Sequence, residues 1–221
     1  MTQSFTRLKT KLAKKPKTES SRRWLLRQLN DPFVEKAKKE GYRSRAAFKI
    51  LEINEKYGLI NPSSVVVDLG STPGGWSQVA SKLVKFGKGQ VIALDINPME
   101  PLPDVEFILG DFTQDETLQK LIEIAPNQVD VVISDMAAPA CGVPAVDHDR
   151  IMYLLELALE FAHSHLKTGG HFVAKVLKGG TEGKLLLNLK KSFSKVHHFK
   201  PKSSRSDSAE SYVVALGYKK A

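Results

Sequence analysis

The chain has almost no cysteine: Cys141 is the single one in 221 residues. That excludes an internal disulfide and any metal cluster built on cysteines, so no metal site is expected. Cys141 itself reads as a small, partly buried residue. No apolar run approaches the roughly 20 residues of a membrane span, so no membrane partner is expected. Two phosphate-binding signatures are missing too. There is no Gly-x-Gly-x-x-Gly turn, and no Gly-Lys-Ser/Thr to make a P-loop, which argues against an NTPase. No internal repeat is present. Acids are also absent from the most basic stretches: none precedes Glu19, and none lies between Lys184 and Arg205.

Those acid-free stretches shape the charge. The net charge is +9, but it is not spread evenly. Residues 1–50 hold 15 Lys/Arg against 4 Asp/Glu, residues 51–183 hold 9 against 18, and residues 184–221 hold 9 against 2. A mildly acidic centre between two basic ends points to a polyanion partner such as nucleic acid. Residues 1–20 lack hydrophobic periodicity and are expected to form a flexible basic arm. The arm is richer in Lys than in Arg and has no secretory apolar segment. A nucleic-acid arm in the cytoplasm therefore fits better than a mitochondrial transit peptide, which would lead to the matrix.

The remaining chain, 21–221, suits one globular domain with basic helices at 21–58. Asp31-Pro32 predicts an N-cap and first helical residue, with Gly41 as the stop. Ser44 is expected to cap a second helix, Arg45 to Tyr57, ended by Gly58. From Val65, strands are predicted at 65–69, 91–95, 105–109, 129–134 and 170–177, with helices at 75–86, 115–125, 147–167 and 181–191. Ile151, Leu154, Leu155, Ala158, Leu159, Ala162 and Leu166 form the clearest helical stripe, which Gly169-Gly170 is expected to close. Two last strands, 194–200 and 211–218, have no helix between them and should pair antiparallel at one edge. The result is an α/β fold with a mainly parallel seven-stranded sheet and helices on both faces.

In such a sheet ligands bind at the carboxyl ends of the strands. Val65-Val66-Val67-Asp68-Leu69-Gly70 leads into Ser71-Thr72-Pro73-Gly74-Gly75-Trp76, a strand and a glycine-rich turn that deliver a ligand to a helix N-terminus. Asp68, Asp95, Asp111 and Asp135 fall at neighbouring strand ends. Asp95 suits a ribose hydroxyl pair, Asp111 suits an adenine amino group, and Trp76 and Phe112 offer apolar surface. An acid-rich rim suits a cationic, phosphate-free adenosine such as S-adenosylmethionine better than the pyrophosphate of NAD, which stays as the alternative.

With those residues in view, the chain from about Ser20 to its C-terminus resembles the FtsJ family of RNA ribose 2′-O-methyltransferases. The motifs are Gly41-Tyr42-Arg43-Ser44-Arg45-Ala46-Ala47-Phe48-Lys49, Asp68-Leu69-Gly70 with Pro73-Gly74-Gly75-Trp76-Ser77-Gln78, Gly110-Asp111-Phe112, Ser134-Asp135-Met136-Ala137, Pro144-Ala145-Val146-Asp147, Phe172-Val173-Ala174-Lys175-Val176, and Ser203-Ser204-Arg205 with Glu210-Ser211-Tyr212. The resemblance implies a Rossmann-like S-adenosylmethionine-dependent methyltransferase fold. It implies a catalytic set of Lys49, Asp135, Lys175 and Glu210, and cofactor contacts at Gly74, Trp76, Asp95, Asp111 and Asp135. The implied acceptor is a uridine 2′-hydroxyl of 23S ribosomal RNA in the large ribosomal subunit. A monomer is expected. Other classes to weigh are 2′-O-methylation of transfer RNA or a messenger cap, and a non-catalytic ribosome-assembly factor.

The chemistry needs such a set. A ribose hydroxyl is a weak acid, so the site must take its proton and stabilise the developing oxyanion. Lys175 is assigned as the base or the principal oxyanion-stabilising group, because an apolar strand is an expensive place for an idle ammonium. Burial and a second cation both favour the neutral amine. Lys49 is expected to position the hydroxyl or to tune Lys175, Asp135 to orient Lys175 and sit near the methyl group, and Glu210 to help hold the lysines in place. Arg22, Arg23, Arg27, Lys36, Lys38, Lys39, Arg43 and Arg45 are expected to hold RNA phosphates, together with Lys190, Lys191, Lys200 and Lys202.

Overall fold

The inner strands are apolar, β-branched runs that can be buried on both faces, and seven strands form among the described residues. They are β1 (Val65–Leu69), β2 (Gln90–Asp95), β3 (Val105–Leu109), β4 (Val129–Ser134), β5 (Leu166–Leu177), β6 (Phe193–Phe199) and β7 (Glu210–Tyr218). The computed structural model describes residues 19–125, 128–139, 141–177, 183–206 and 208–220. In it these strands form one sheet in the order β3-β2-β1-β4-β5-β7-β6. The first five run parallel, and β7 runs antiparallel to both β5 and β6. The expected antiparallel pair is there, with β6 at the edge and β7 as the reversed strand beside it.

The two-residue period of a strand sends alternate side chains to opposite faces. Val66, Val131, Val173 and Tyr212 meet Ile50, Ile53, Trp76 and Val79 on one face. These come from α3 (Ala47–Tyr57) and α4 (Gly75–Val84). Val67, Val132 and Phe172 meet Leu121, Leu155, Leu159 and Leu189 on the other. Those come from α5 (Asp115–Ile124), α6 (Pro144–His165) and α7 (Lys184–Ser192). Ahead of the sheet lie α1 (Glu19–Leu29) and α2 (Pro32–Glu40). Glu19 and Ser20, assigned to the arm, begin α1, while residues 1–18 lie outside the described residues, as do 181 and 182 of the helix expected at 181–191.

Asp31 caps α2 as expected, accepting from the Phe33 N–H at 3.0 Å, and Gly41 ends it in the left-handed region. Ser44 does not cap α3. The backbone makes a turn first, with the Ala47 N–H bonding to the Ser44 carbonyl, so the helix starts two residues later than predicted. The Ser44 hydroxyl instead packs on Gly75, where an added Cβ would come within 2.4 Å of it. Gly169-Gly170 does not close α6 either. The helix stops at His165, and Leu166 already pairs with Val129 in β5. Leu166 is buried, so sheet pairing captures it before the glycines are reached. The glycines serve a slip in register, between Val129↔Leu166 and Val131↔His171. There Gly169 has φ 85, and a Cβ on Gly170 would lie 3.0 Å from the Asp130 carbonyl.

Candidate active site

The sheet order reverses at β1: β2 and β3 lie to one side of it, β4 and β5 to the other. Such a switch point opens a crevice at the carboxyl ends of the strands. Gly70 and Met136 close its floor. Gly70 has φ 76, and a Cβ there would stand 2.7 Å from the Met136 backbone, so glycine is required on both counts. Above them is a cavity of about 530 Å³, lined among others by Asp95, Asp111, Phe112, Asp135, Leu154 and Lys175.

The acids on this rim are held in different ways. Asp95 accepts from the Thr72 N–H at 2.8 Å, the Asn97 N–H at 2.8 Å and the Asn97 side chain at 3.1 Å. A carboxylate has about four lone-pair sites, so it keeps acceptor capacity for a hydroxyl. Asp111 accepts from the backbone and hydroxyl of Thr113. Asp68 is fully buried beneath them, and Ser77 Oγ donates to its Oδ2 at 2.5 Å. Burial, opposed by that hydrogen bond and reinforced by the charges of Asp135 and Asp95, pushes the Asp68 carboxyl up to about 7.

Gly74 and Trp76 do not line the cavity. Gly74 faces Met99, Leu102 and Arg43 on the outer side of the turn. Trp76 is 2% exposed. Its Nε1 donates to the Ala46 carbonyl at 2.8 Å, and its ring lies 5.4 Å from that of Tyr212.

Lys49, Asp135, Lys175 and Glu210 do meet, although they come from α3, the end of β4, β5 and the start of β7. Lys175 Nζ donates to the Asp135 carbonyl at 2.7 Å and pairs with Asp135 Oδ1 at 2.9 Å. Lys49 Nζ lies 3.8 Å from Asp135 Oδ2 and 3.5 Å from Glu210 Oε2. Both lysines are buried, at 8% and 7% exposure. Burial opposes ionisation of Asp135, but Lys175 and Lys49 and the hydrogen bonds it accepts outweigh burial and hold its carboxyl below the usual range.

A fifth residue completes the cluster. Lys49 Nζ donates to the Tyr212 hydroxyl at 2.9 Å, and that hydroxyl donates to Asp135 Oδ1 at 2.7 Å. Burial, then the Asp135 carboxylate, raises the phenol well above its ordinary value, so it stays a donor. The sequence reading gave Tyr212 no role. The available signal was its spacing: it lies two residues after Glu210, hence on the same face of β7, and it is paired with Lys175 across the sheet. On the far side of Lys49 a second cavity, of about 320 Å³, is lined by Arg27, Arg45, Lys49, Arg205, Ser208 and Glu210. Asp31 ties Arg45 and Arg205 together there.

A family model described as FtsJ-like methyltransferase matches residues 42–218, which include all five residues of the cluster. The chain belongs to the FtsJ-like methyltransferase family. Within this family, the ribosomal RNA large subunit methyltransferase E of Rickettsia felis is 49% identical over 219 residues, covering 97% of this chain and 95% of that protein. Its namesake in Xanthobacter autotrophicus is 50% identical over 205 residues, covering 92% of this chain and 81% of that one. Among solved structures, one assigned as a ribosomal RNA methyltransferase from Plasmodium falciparum superposes with a TM-score of 0.72 at 33% identity, covering 80% of this chain and 98% of that chain. As an FtsJ-like methyltransferase, the chain must bring a methyl donor to an acceptor. The lysine–aspartate cluster is common to the walls of the acidic cavity and the arginine-lined one.

Proposed function

We infer that the chain transfers the methyl group of S-adenosylmethionine to the 2′-hydroxyl of a uridine in 23S ribosomal RNA of the large ribosomal subunit. The observation that carries this reading is the meeting of two unlike cavities at one reactive cluster. The acidic cavity has Asp95 and Asp111 for hydroxyl and amino groups, with Ile96, Phe112 and Leu154 as apolar wall. Among the described residues Lys175 is its one basic residue, paired with Asp135. That donor set suits a phosphate-free, cationic adenosine and suits a pyrophosphate poorly. The arginine-lined cavity suits RNA phosphates, which position a strand without choosing its bases.

Between them the chain's own groups act on the hydroxyl. S-adenosylmethionine held by Asp95 and Asp111 would supply an electrophilic methyl group on its sulfonium sulfur, whose bond to that methyl would break to leave a neutral thioether. Lys175 Nζ is placed to take the 2′-hydroxyl proton as the oxygen attacks. Asp135 orients Nζ through two contacts and stabilises the ammonium that forms. Lys49, held by Glu210 and Tyr212, directs its remaining N–H toward the reacting oxygen. Gly74 and Trp76 support the cofactor turn from behind, with Trp76 fixing α4 against α3.

The protein acts as a monomer in the cytoplasm, where large subunits are assembled. Calorimetry with S-adenosylmethionine and with NAD, followed by methyl transfer to large subunits, naked 23S ribosomal RNA and transfer RNA, tests the reading. Binding of S-adenosylmethionine alone and turnover on subunits are expected. Turnover confined to transfer RNA would displace the ribosomal assignment.

A further inference from the structure

Arg43 lies in the turn between α2 and α3 and by charge belongs with the basic N-terminal segment. Its guanidinium is committed elsewhere. Nη1 donates to the Glu100 carbonyl at 2.5 Å and to the Pro73 carbonyl at 3.4 Å, and Nη2 donates to the Pro101 carbonyl at 2.6 Å. The backbone carrying it is pinned to α4. The Arg43 N–H donates to Gln78 Oε1 at 3.0 Å, and Gln78 Nε2 donates to the Gly41 carbonyl at 2.8 Å.

The carbonyls that Arg43 reaches belong to two loops that build the acidic cavity. One follows β1 and contains Thr72 and Pro73. The other follows β2 and runs from Ile96 to Asp104. Inside the wall, the Thr72 N–H meets Asp95 and the Thr72 hydroxyl donates to the Asn97 carbonyl at 2.9 Å. Outside it, Arg43 bridges the same two loops. The second loop contains Pro98, Pro101 and Pro103, which have no N–H, and no helix or strand lies within it, so its own backbone offers few donors to hold its shape. The fit is close: a Cβ on Gly74 would stand 2.7 Å from Met99 Sδ, 2.9 Å from Leu102 Cδ1 and 3.1 Å from Arg43 Nη1.

We propose that Arg43 is a positioning residue of the cofactor site: it clamps the loops after β1 and β2 from outside and so holds Asp95, Ile96 and Asn97 in place. The proposal rests on the reading that this cavity holds S-adenosylmethionine. The planar guanidinium reaches two successive carbonyls from two separate nitrogens in a fixed fork, whereas an ammonium offers its donors from a single nitrogen. Arg43 thus serves the methyl donor, not the RNA phosphates that its place among basic residues suggested.

The test uses the full chain with Arg43→Lys and, as a second variant, Gln78→Met, which frees the Arg43 backbone without removing charge. Calorimetry measures S-adenosylmethionine binding, filter retention measures binding to naked 23S ribosomal RNA, and hydrogen exchange without cofactor reads the amides of Asn97, Met99, Glu100 and Leu102. Both variants are expected to weaken S-adenosylmethionine binding, Arg43→Lys by about tenfold. RNA affinity should stay within about twofold of the wild type, because net charge is kept. KM for the cofactor should rise with kcat nearly unchanged, and the four amides should exchange faster. Unchanged cofactor affinity in both variants would overturn the clamp. So would a loss of RNA affinity alone. If the wild type fails to bind S-adenosylmethionine, the reading of the cavity falls by itself, and the exchange rates still decide whether Arg43 holds the loop.

Discussion

The Tyr212 hydroxyl decides how the two lysines share one carboxylate. It accepts from Lys49 and donates to Asp135, so Lys49 reaches Asp135 through a short relay as well as directly. Tyr212→Phe keeps the ring against Trp76 and deletes the relay. Losing a hydrogen bond to charged groups should lower kcat about 30-fold with KM for S-adenosylmethionine little changed, as steady-state kinetics on large subunits would measure. Asp68 makes a different prediction at this scale. Its carboxyl is raised from 3.8 to about 7 in the folded chain. Between those values the folded protein keeps a proton that the unfolded chain releases. Stability is therefore lost as pH rises through this window, by up to about 1.4 kcal/mol per pH unit. Asp68→Asn removes that term. Urea unfolding at a series of pH values from 5 to 7.5 should show the wild type losing stability relative to the variant, whereas parallel curves would contradict the assignment.

Among the elements, α2 and α3 reach the active site through Asp31. Its carboxylate caps α2 and pairs with Arg45 at 2.5 Å and Arg205 at 3.3 Å, with 7% of its side chain exposed. Asp31→Ala uncaps the helix and leaves two partly buried guanidiniums without their partner. It should cost about 3 kcal/mol in denaturant unfolding. The elements themselves were largely legible. Strands β1, β2 and β4 are buried on both faces, so their apolar runs stand out, and Asp31-Pro32, Gly41 and Gly58 mark helix ends by local chemistry alone. The helix ends were misread where tertiary pairing outranked a local signal, at Ser44 and at Gly169-Gly170, and Cys141, expected to be partly buried, is exposed in the loop before α6. The meeting of the acids and lysines in one place was legible because chemistry, position at strand ends and family motifs agreed. The partners of Tyr212 and Arg43 were not, because they are made by contacts between segments far apart in the chain.

For the whole molecule, the charge division acquires a spatial meaning. Arg27 from α1, Arg45 from before α3 and Arg205 from before β7 line one cavity beside Lys49, so the two basic ends of the sequence converge there. RNA binding should weaken steeply with salt, and Arg27→Gln should reduce the log–log slope by nearly one without changing sequence preference. Lys175 is proposed to drive methyl transfer to a ribose hydroxyl on the large subunit. The most direct test of that role is mass mapping of 23S ribosomal RNA after incubating unmodified large subunits with S-adenosylmethionine and either the wild type or Lys175→Ala. One new 2′-O-methyluridine with the wild type is expected, and about a hundredfold less with Lys175→Ala while cofactor binding persists. Full methylation by Lys175→Ala, or a methyl group found on a base, would contradict it.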